Sequence, residues 1–248
     1  MPLPILFHDP TSEPSRAVHW FALEAGIDLK LEFVWLTRGD HRSPEFLKIN
    51  PAHQVPVLKH GEFCLPEAAA IMLYLADLAT CTETWVGSSV EENARTHRFM
   101  SWHHINTRKT ITLDYALPVL LMPAYKGGPL PAAGEIKRLQ DNIRWSLGLL
   151  ESFLDQCGGF LGGIDPSIAD LFIASDVFVL DVDPARDELL GPFPAIRRWL
   201  KSLRKRPACE VSLAAWTAIT LCIRELLMNK DQAERDPTWV ADACLPYV

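Results

Sequence analysis

The stretch from Ala52 to Leu75 constrains this chain most. Ala52-His53-Gln54-Val55-Pro56-Val57-Leu58-Lys59 reads as a loop, a proline and a short strand. Gly61 marks a turn. Pro66-Glu67-Ala68-Ala69-Ala70-Ile71-Met72-Leu73-Tyr74-Leu75 then reads as the start of a helix. A Val-Pro bond at the mouth of a strand is a natural place for a cis peptide. With that bond cis, the Val55 N–H and C=O are expected to face a ligand rather than a sheet partner. Pro66 falls where a missing N–H costs little, and Glu67 adds negative charge to the first turn. Ala70, Ile71, Leu73, Tyr74 and Leu75 give the helix an apolar side. The free N–H groups at its start form an anion site.

The flanking segments fit around this unit. Pro4 to His8 is a short apolar strand, and Asp9 to Pro14 is turn chemistry leading into a helix. That helix carries Val18, Phe21, Ala22 and Ala25 on one stripe, and Gly26 stops it. Leu31 to Leu36 alternates as a second strand, and Pro44 to Ile49 is short and helical. Val57–Lys59 and Glu62–Leu65 flank Gly61 as a hairpin. The order βαβαββα over residues 1–81 is that of a thioredoxin-like domain. Ala79 to Ser89 is polar and without periodicity, which predicts a linker at 82–89. Residues 90–227 read as all helix: Glu91 to Tyr115, Glu135 to Phe153, Ser167 to Val179, Pro194 to Lys205 and Leu213 to Leu227, with a Gly/Pro loop from Tyr125 to Pro131. Residues 228–248 read as a polar tail. The expected fold class is therefore α/β plus all-α, a thioredoxin-like domain followed by a helical one.

Net charge is −7, which argues against a nucleic-acid partner. No apolar run approaches the ~18 residues of a membrane span, and Met1 to Asp9 lacks the basic flank of a signal peptide. Cys64, Cys81, Cys157, Cys209, Cys222 and Cys244 are scattered, as expected of reduced thiols in a cytoplasmic protein. His103 and His104 invite a metal reading. Adjacent helical residues point ~100° apart, so no metal is assigned.

The chemistry is expected at the start of the first helix, in Ser12-Glu13-Pro14-Ser15-Arg16-Ala17-Val18. A hydroxyl from Thr11, Ser12 or Ser15 is positioned to donate to an anion there, helped by the helix N-terminus. The alternative role for Ser12 is that of a plain N-cap.

Val-Pro-x-Leu followed by Glu-x-x-Ala-Ile-x-x-Tyr-Leu resembles the glutathione site of the cytosolic glutathione transferases. The resemblance implies that Val55 and Pro56 clamp the cysteinyl backbone of glutathione and that Glu67 and the next residue hold its γ-glutamyl end. Ala68 stands where the family usually has Ser. Ser-x-Pro-x-Arg-Ala-Val is closest to the theta class, which implies Ser12 as the residue that stabilises the glutathione thiolate, the nucleophilic form. Gly39-Asp40-His41-Arg42-Ser43 resembles the theta loop whose His contacts the glycine carboxylate. Trp102 to Arg108 resembles the segment carrying an active-site Arg, which maps to Arg108. Gln54 falls where theta proteins often have Lys. Ser167-Ile168-Ala169-Asp170, a capping box, matches a structural hallmark of the family's helical domain. The resemblance implies a homodimeric enzyme with glutathione as co-substrate, small apolar electrophiles between the domains, and a lid formed by the tail around Asp236-Pro237-Thr238. The competing readings are a non-catalytic relative that kept only the fold, supported by Ala68 and Gln54, and a thiol-disulfide oxidoreductase. The latter needs a cysteine near position 12, and the first is Cys64.

Overall fold

The computed structural model describes residues 2–229 and 235–248. Residue 230–234 of the tail lie outside the described residues. β1 (Ile5–His8), β2 (Lys30–Phe33), β3 (Val57–His60) and β4 (Phe63–Pro66) form a sheet in the order β2-β1-β3-β4. β2 runs parallel to β1; β3 and β4 are antiparallel additions. The helices of this region are α1 (Glu13–Glu24), α2 (Pro44–Leu47) and α3 (Ala68–Leu78).

The rest is helical: α4 (Thr82–Trp85), α5 (Val90–Ile105), a π-helical segment (Arg108–Leu121), α6 (Met122–Lys126), α7 (Ala133–Cys157), α8 (Ile168–Val177), α9 (Arg186–Leu190), α10 (Pro194–Arg204), α11 (Pro207–Met228) and α12 (Trp239–Cys244). One continuous apolar core runs through both regions. α1 is its centre: it packs on α3 on one side and on α8 and α11 on the other. Arg16 is buried at this junction. It donates to the carbonyls of Thr11 (2.7 Å) and Ser175 (3.3 Å) and lies 4.5 Å over the Trp216 ring.

Several boundaries differ from the sequence reading, each for a local reason. β2 ends at Phe33 rather than Leu36. The amides of Trp35 and Leu36, which would extend a ladder, donate instead to Asp40 Oδ2 (3.0 Å) and Asp9 Oδ2 (2.8 Å). Pro66 ends β4 rather than opening the helix, and Glu67 is the N-cap residue, outside the first turn. The single long helix expected from Glu91 to Tyr115 breaks at Asn106. Its side-chain amide donates to the Trp102 carbonyl at 2.7 Å, competing with the backbone for that acceptor. The chain resumes as the π segment, which contains Pro118 and its missing donor. The 82–89 segment is no free linker: α4 seats Trp85 against Phe21, with ring centroids 5.6 Å apart.

α7 is longer at both ends than expected, and α11 starts six residues early, with a proline in its first turn. α9 carries no periodicity long enough to read. α11 has the length and composition of a membrane span, contrary to expectation, yet Leu213, Trp216, Ile219 and Ile223 pack into the core. The tail also departs from the reading. Val240, Ala241 and Cys244 of α12 are fully buried against α11.

Candidate active site

Asp9 builds the turn between β1 and α1. Fully buried, it accepts from the Thr11 amide (2.7 Å) and hydroxyl (2.6 Å) on one oxygen and from the Leu36 amide on the other. Burial pushes its carboxyl above the usual range, against the pull of these hydrogen bonds. The turn delivers Ser12 as the N-cap residue of α1, in extended conformation (φ −80°, ψ 122°). The Ser12 hydroxyl makes no capping hydrogen bond and lines a cavity of about 900 Å³. Of the other two candidates, Thr11 gives its hydroxyl to Asp9, and Ser15 is fully buried outside the cavity.

A second wall comes from the loop before β3. Asn50 fixes it, donating to the Gln54 carbonyl (2.9 Å) and accepting from the Ala52 amide (3.0 Å). The Val55–Pro56 bond is cis. Both residues precede β3, so the Val55 backbone lies outside the ladder, and both line the cavity with Gln54. A third wall is the start of α3. Glu67 holds φ +72°, ψ 108°, a conformation that side chains with a Cβ rarely adopt and that is stored where the surroundings over-determine it. It brings Pro66, Glu67 and Ala68 to the cavity rim. The α3 amides of Ala68 to Ala70 are the usual unpaired donors of a helix start.

The 36–42 loop turns at Gly39 (φ 82°) and supplies Thr37, Arg38, His41 and Arg42. Arg38 is held by Asp242 of α12 at 2.6 Å and lies over the Trp35 ring. Burial, then the neighbouring Arg42, lowers the pKa of the His41 imidazole.

The last wall comes from the helical region. Leu113, Leu117, Leu121, Met122, Tyr125 and Phe172 make it apolar, and Pro237 of the tail reaches its edge. Arg108 stands where this wall meets α1. It is ion-paired with Glu13, and its Nη1 lies 3.8 Å from Asp176 Oδ1. Burial alone lowers an arginine, but Glu13 and Asp176 outweigh it and Arg108 is held more firmly protonated. His103 is fully buried with Nδ1 2.9 Å from Asp176 Oδ2. The His103 and His104 rings stack with centroids 4.9 Å apart, and Phe172 packs edge-on against both. Among the described residues no group of three or more His, Cys, Asp or Glu is arranged to hold a metal.

Ser12, His41, Gln54, Val55, Pro56, Glu67, Ala68 and Arg108, all singled out in the sequence, line this one cavity. Asp9, Glu13, Asn50 and Arg38 were not singled out. Asp9 and Asn50 carried a signal, since Asp and Asn before turns take backbone amides.

Comparisons with known proteins point to one family. The family described as "Glutathione S-transferase, N-terminal domain" matches residues 4–77. Glutathione S-transferase T2 of Arabidopsis thaliana is 36% identical over 207 residues, 81% of this chain, which spans only 34% of that protein's length. Human glutathione S-transferase theta-2 is 34% identical over 176 residues, covering 69% of each chain. A solved human theta-class glutathione transferase, in complex with the glutathione conjugate of 1-menaphthyl sulfate, superposes over 100% of both chains with a TM-score of 0.78 and 27% identity.

Proposed function

This chain belongs to the glutathione S-transferase family, with its theta class most similar, and we propose that it conjugates the glutathione thiolate to small apolar electrophiles in the 900 Å³ cavity. Glutathione lies along the Val55 backbone with its γ-glutamyl end at Glu67 and Ala68 and its glycine carboxylate toward His41, beside Gln54 and Pro56. The Ser12 hydroxyl donates to the sulfur. That bond is stronger to thiolate than to thiol, so it lowers the thiol pKa and raises the reactive fraction near neutral pH. Arg108 stands on the electrophile side, ion-paired with Glu13. The thiolate then displaces a leaving group, adds to an activated alkene or reduces an organic hydroperoxide. On family grounds the reading includes a homodimer in the cytoplasm, with no metal.

The observation that carries it is the uncapped Ser12 hydroxyl, opening onto the cavity that the Val55 loop and the α3 start also line. Two measurements test it. Glutathione at ~100 times its Kd should add about 2.7 kcal/mol to stability in a thermal-shift titration. Steady-state assays with an aryl halide, an enone and cumene hydroperoxide should show turnover with at least one. Binding without turnover on any electrophile points to the non-catalytic relative. No binding removes the reading altogether.

A further inference from the structure

Resting on the glutathione-transferase reading, we infer that Glu13 makes this site selective for uncharged electrophiles, by holding Arg108 in an ion pair so that its guanidinium is not free to meet an oxyanion at the reacting sulfur. Glu13 follows Ser12 directly and sits in the first turn of α1, where the helix N-terminus favours a carboxylate. Its side chain is 10% exposed and lines the cavity. It is ion-paired with Arg108, whose side chain is only 26% exposed. Asp176, 1% exposed, approaches the same guanidinium from behind.

Arg108 therefore faces two carboxylates. Glu13 alone balances the charge of Arg108, and Asp176 lies close enough to share it. Arg16 supplies none: it is buried behind α1 on carbonyl acceptors and does not line the cavity. Glu67 adds a further carboxylate to the rim. The cations of the 36–42 loop lie on another wall, and Arg38 is bound by Asp242. On the helical wall itself, Lys126 is exposed to solvent, and burial holds the His104 imidazole below its usual pKa.

Conjugation forms a C–S bond from the thiolate and breaks the bond to the leaving group, which departs with the electron pair. The thiol proton has already gone to solvent. An uncharged arylmethyl chloride releases chloride. An arylmethyl sulfate enters as an anion and releases a dianion, so it meets a compensated arginine and a carboxylate where it needs a free cation. In a partly buried site, one unit charge a few ångströms away is worth a rate or affinity factor of ten or more.

The test uses two unreactive probes that place different charge at the sulfur: S-methylglutathione, uncharged there, and glutathione sulfonate, an oxyanion there. Calorimetry on the wild-type protein should find S-methylglutathione bound at least about tenfold more tightly. Glu13→Gln, which keeps the shape and removes the charge, should shift the ratio of the two affinities toward the sulfonate by about tenfold or more. The double variant with Arg108→Gln should cancel that shift. In turnover, Glu13→Gln should raise kcat/KM for an arylmethyl sulfate relative to the matching chloride. A wild-type preference for the sulfonate overturns the inference even if the variants do not fold. So does an unchanged affinity ratio in Glu13→Gln. Failure of both probes to bind overturns the glutathione site itself, and this inference with it.

Discussion

Trp199 Nε1 donates to Asp170 Oδ1 at 2.8 Å, tying α10 to the start of α8. Asp170 is fully buried and also accepts from the amides of Leu161 (2.8 Å), Gly162 (3.1 Å) and Ser167 (2.8 Å) and from the Ser167 hydroxyl (2.9 Å). The capping box thus organises three segments of chain. Asp170→Ala leaves these donors without an acceptor, and each unsatisfied buried group costs about 1–3 kcal/mol. Urea unfolding should show a loss of at least ~3 kcal/mol. An unchanged midpoint would contradict this role.

Ser12→Ala should leave glutathione binding nearly intact and lower kcat by about 10²–10³, the usual cost of one donor to a developing anion. Because the hydroxyl does not cap α1, the stability cost should fall below the ~1 kcal/mol typical of a lost N-cap. The ultraviolet thiolate band of bound glutathione, titrated against pH, is the direct readout. Ser12→Ala should move its apparent pKa upward, and Ser15→Ala should not. The reverse pattern identifies Ser15 as the donor.

Ala68→Ser should tighten glutathione. Ala68 opens α3 on the cavity rim, where a hydroxyl meets the γ-glutamyl carboxylate of the proposed pose. A hydrogen bond to a charged group is worth about 1.5–3 kcal/mol, or roughly ten- to a hundredfold in Kd. Calorimetry that finds no gain argues against the pose.

His8 and His19 make the protein acid-labile. Burial lowers His8 to about 3, with His19 contributing, and lowers His19 to about 4. Both are neutral near pH 7 in folded and unfolded chains alike. Below pH 6.5 the unfolded chain gains protons that the native state refuses until near pH 4 and pH 3. Stability is therefore full above pH 6.5 and falls as pH drops, by up to about 1.4 kcal/mol per unit per histidine. Urea midpoints at pH 7.5 and 5.0 measure this slope. His8→Phe should flatten it, packing on the adjacent Phe33 ring. An equal slope in both proteins assigns the effect elsewhere.

Removing residues 235–248 should destabilise the protein, although the sequence read there only as a polar tail. The cut exposes the surfaces under Val240, Ala241 and Cys244 and loses the Arg235 bonds to the Pro123 (3.0 Å) and Ala124 (2.9 Å) carbonyls. One buried valine side chain alone is worth about 1.5–3 kcal/mol. At ~2–4 °C per kcal/mol for a chain of this size, Tm should fall by at least about 5 °C. An unchanged Tm would show that α12 adds nothing to the core.

What could be read in the sequence was what short stretches decide. Pro56 before a strand, Gly26 after a helical stripe and the Ser167–Asp170 box each announce local geometry from within a few residues. Arg108, and the ligand role of Glu67, were reachable only because the resemblance supplied a pattern. Contacts between distant segments left no mark. Asp9 reaches Leu36 across 27 positions, and Glu13 meets Arg108 across 95. Periodicity carries no trace of such pairings, and Glu13 was not singled out. α12 was hidden for another reason: six residues are too few for the spacing of Val240, Ala241 and Cys244 to establish a period.

The position of α1 has a consequence for how the molecule comes apart. One face of this helix belongs to the core under the sheet, and the other to the core of α8 and α11. The two regions are thus a single cooperative unit, with no interface along which they separate cheaply. A chain severed between Thr80 and Thr82 would give two fragments, one presenting to water the face of α1 that packs on α8 and α11, the other the surface that this face now covers. Neither would hold its shape alone. Mixed together, they would recover the native state only as a complementing pair, at a rate set by their concentration.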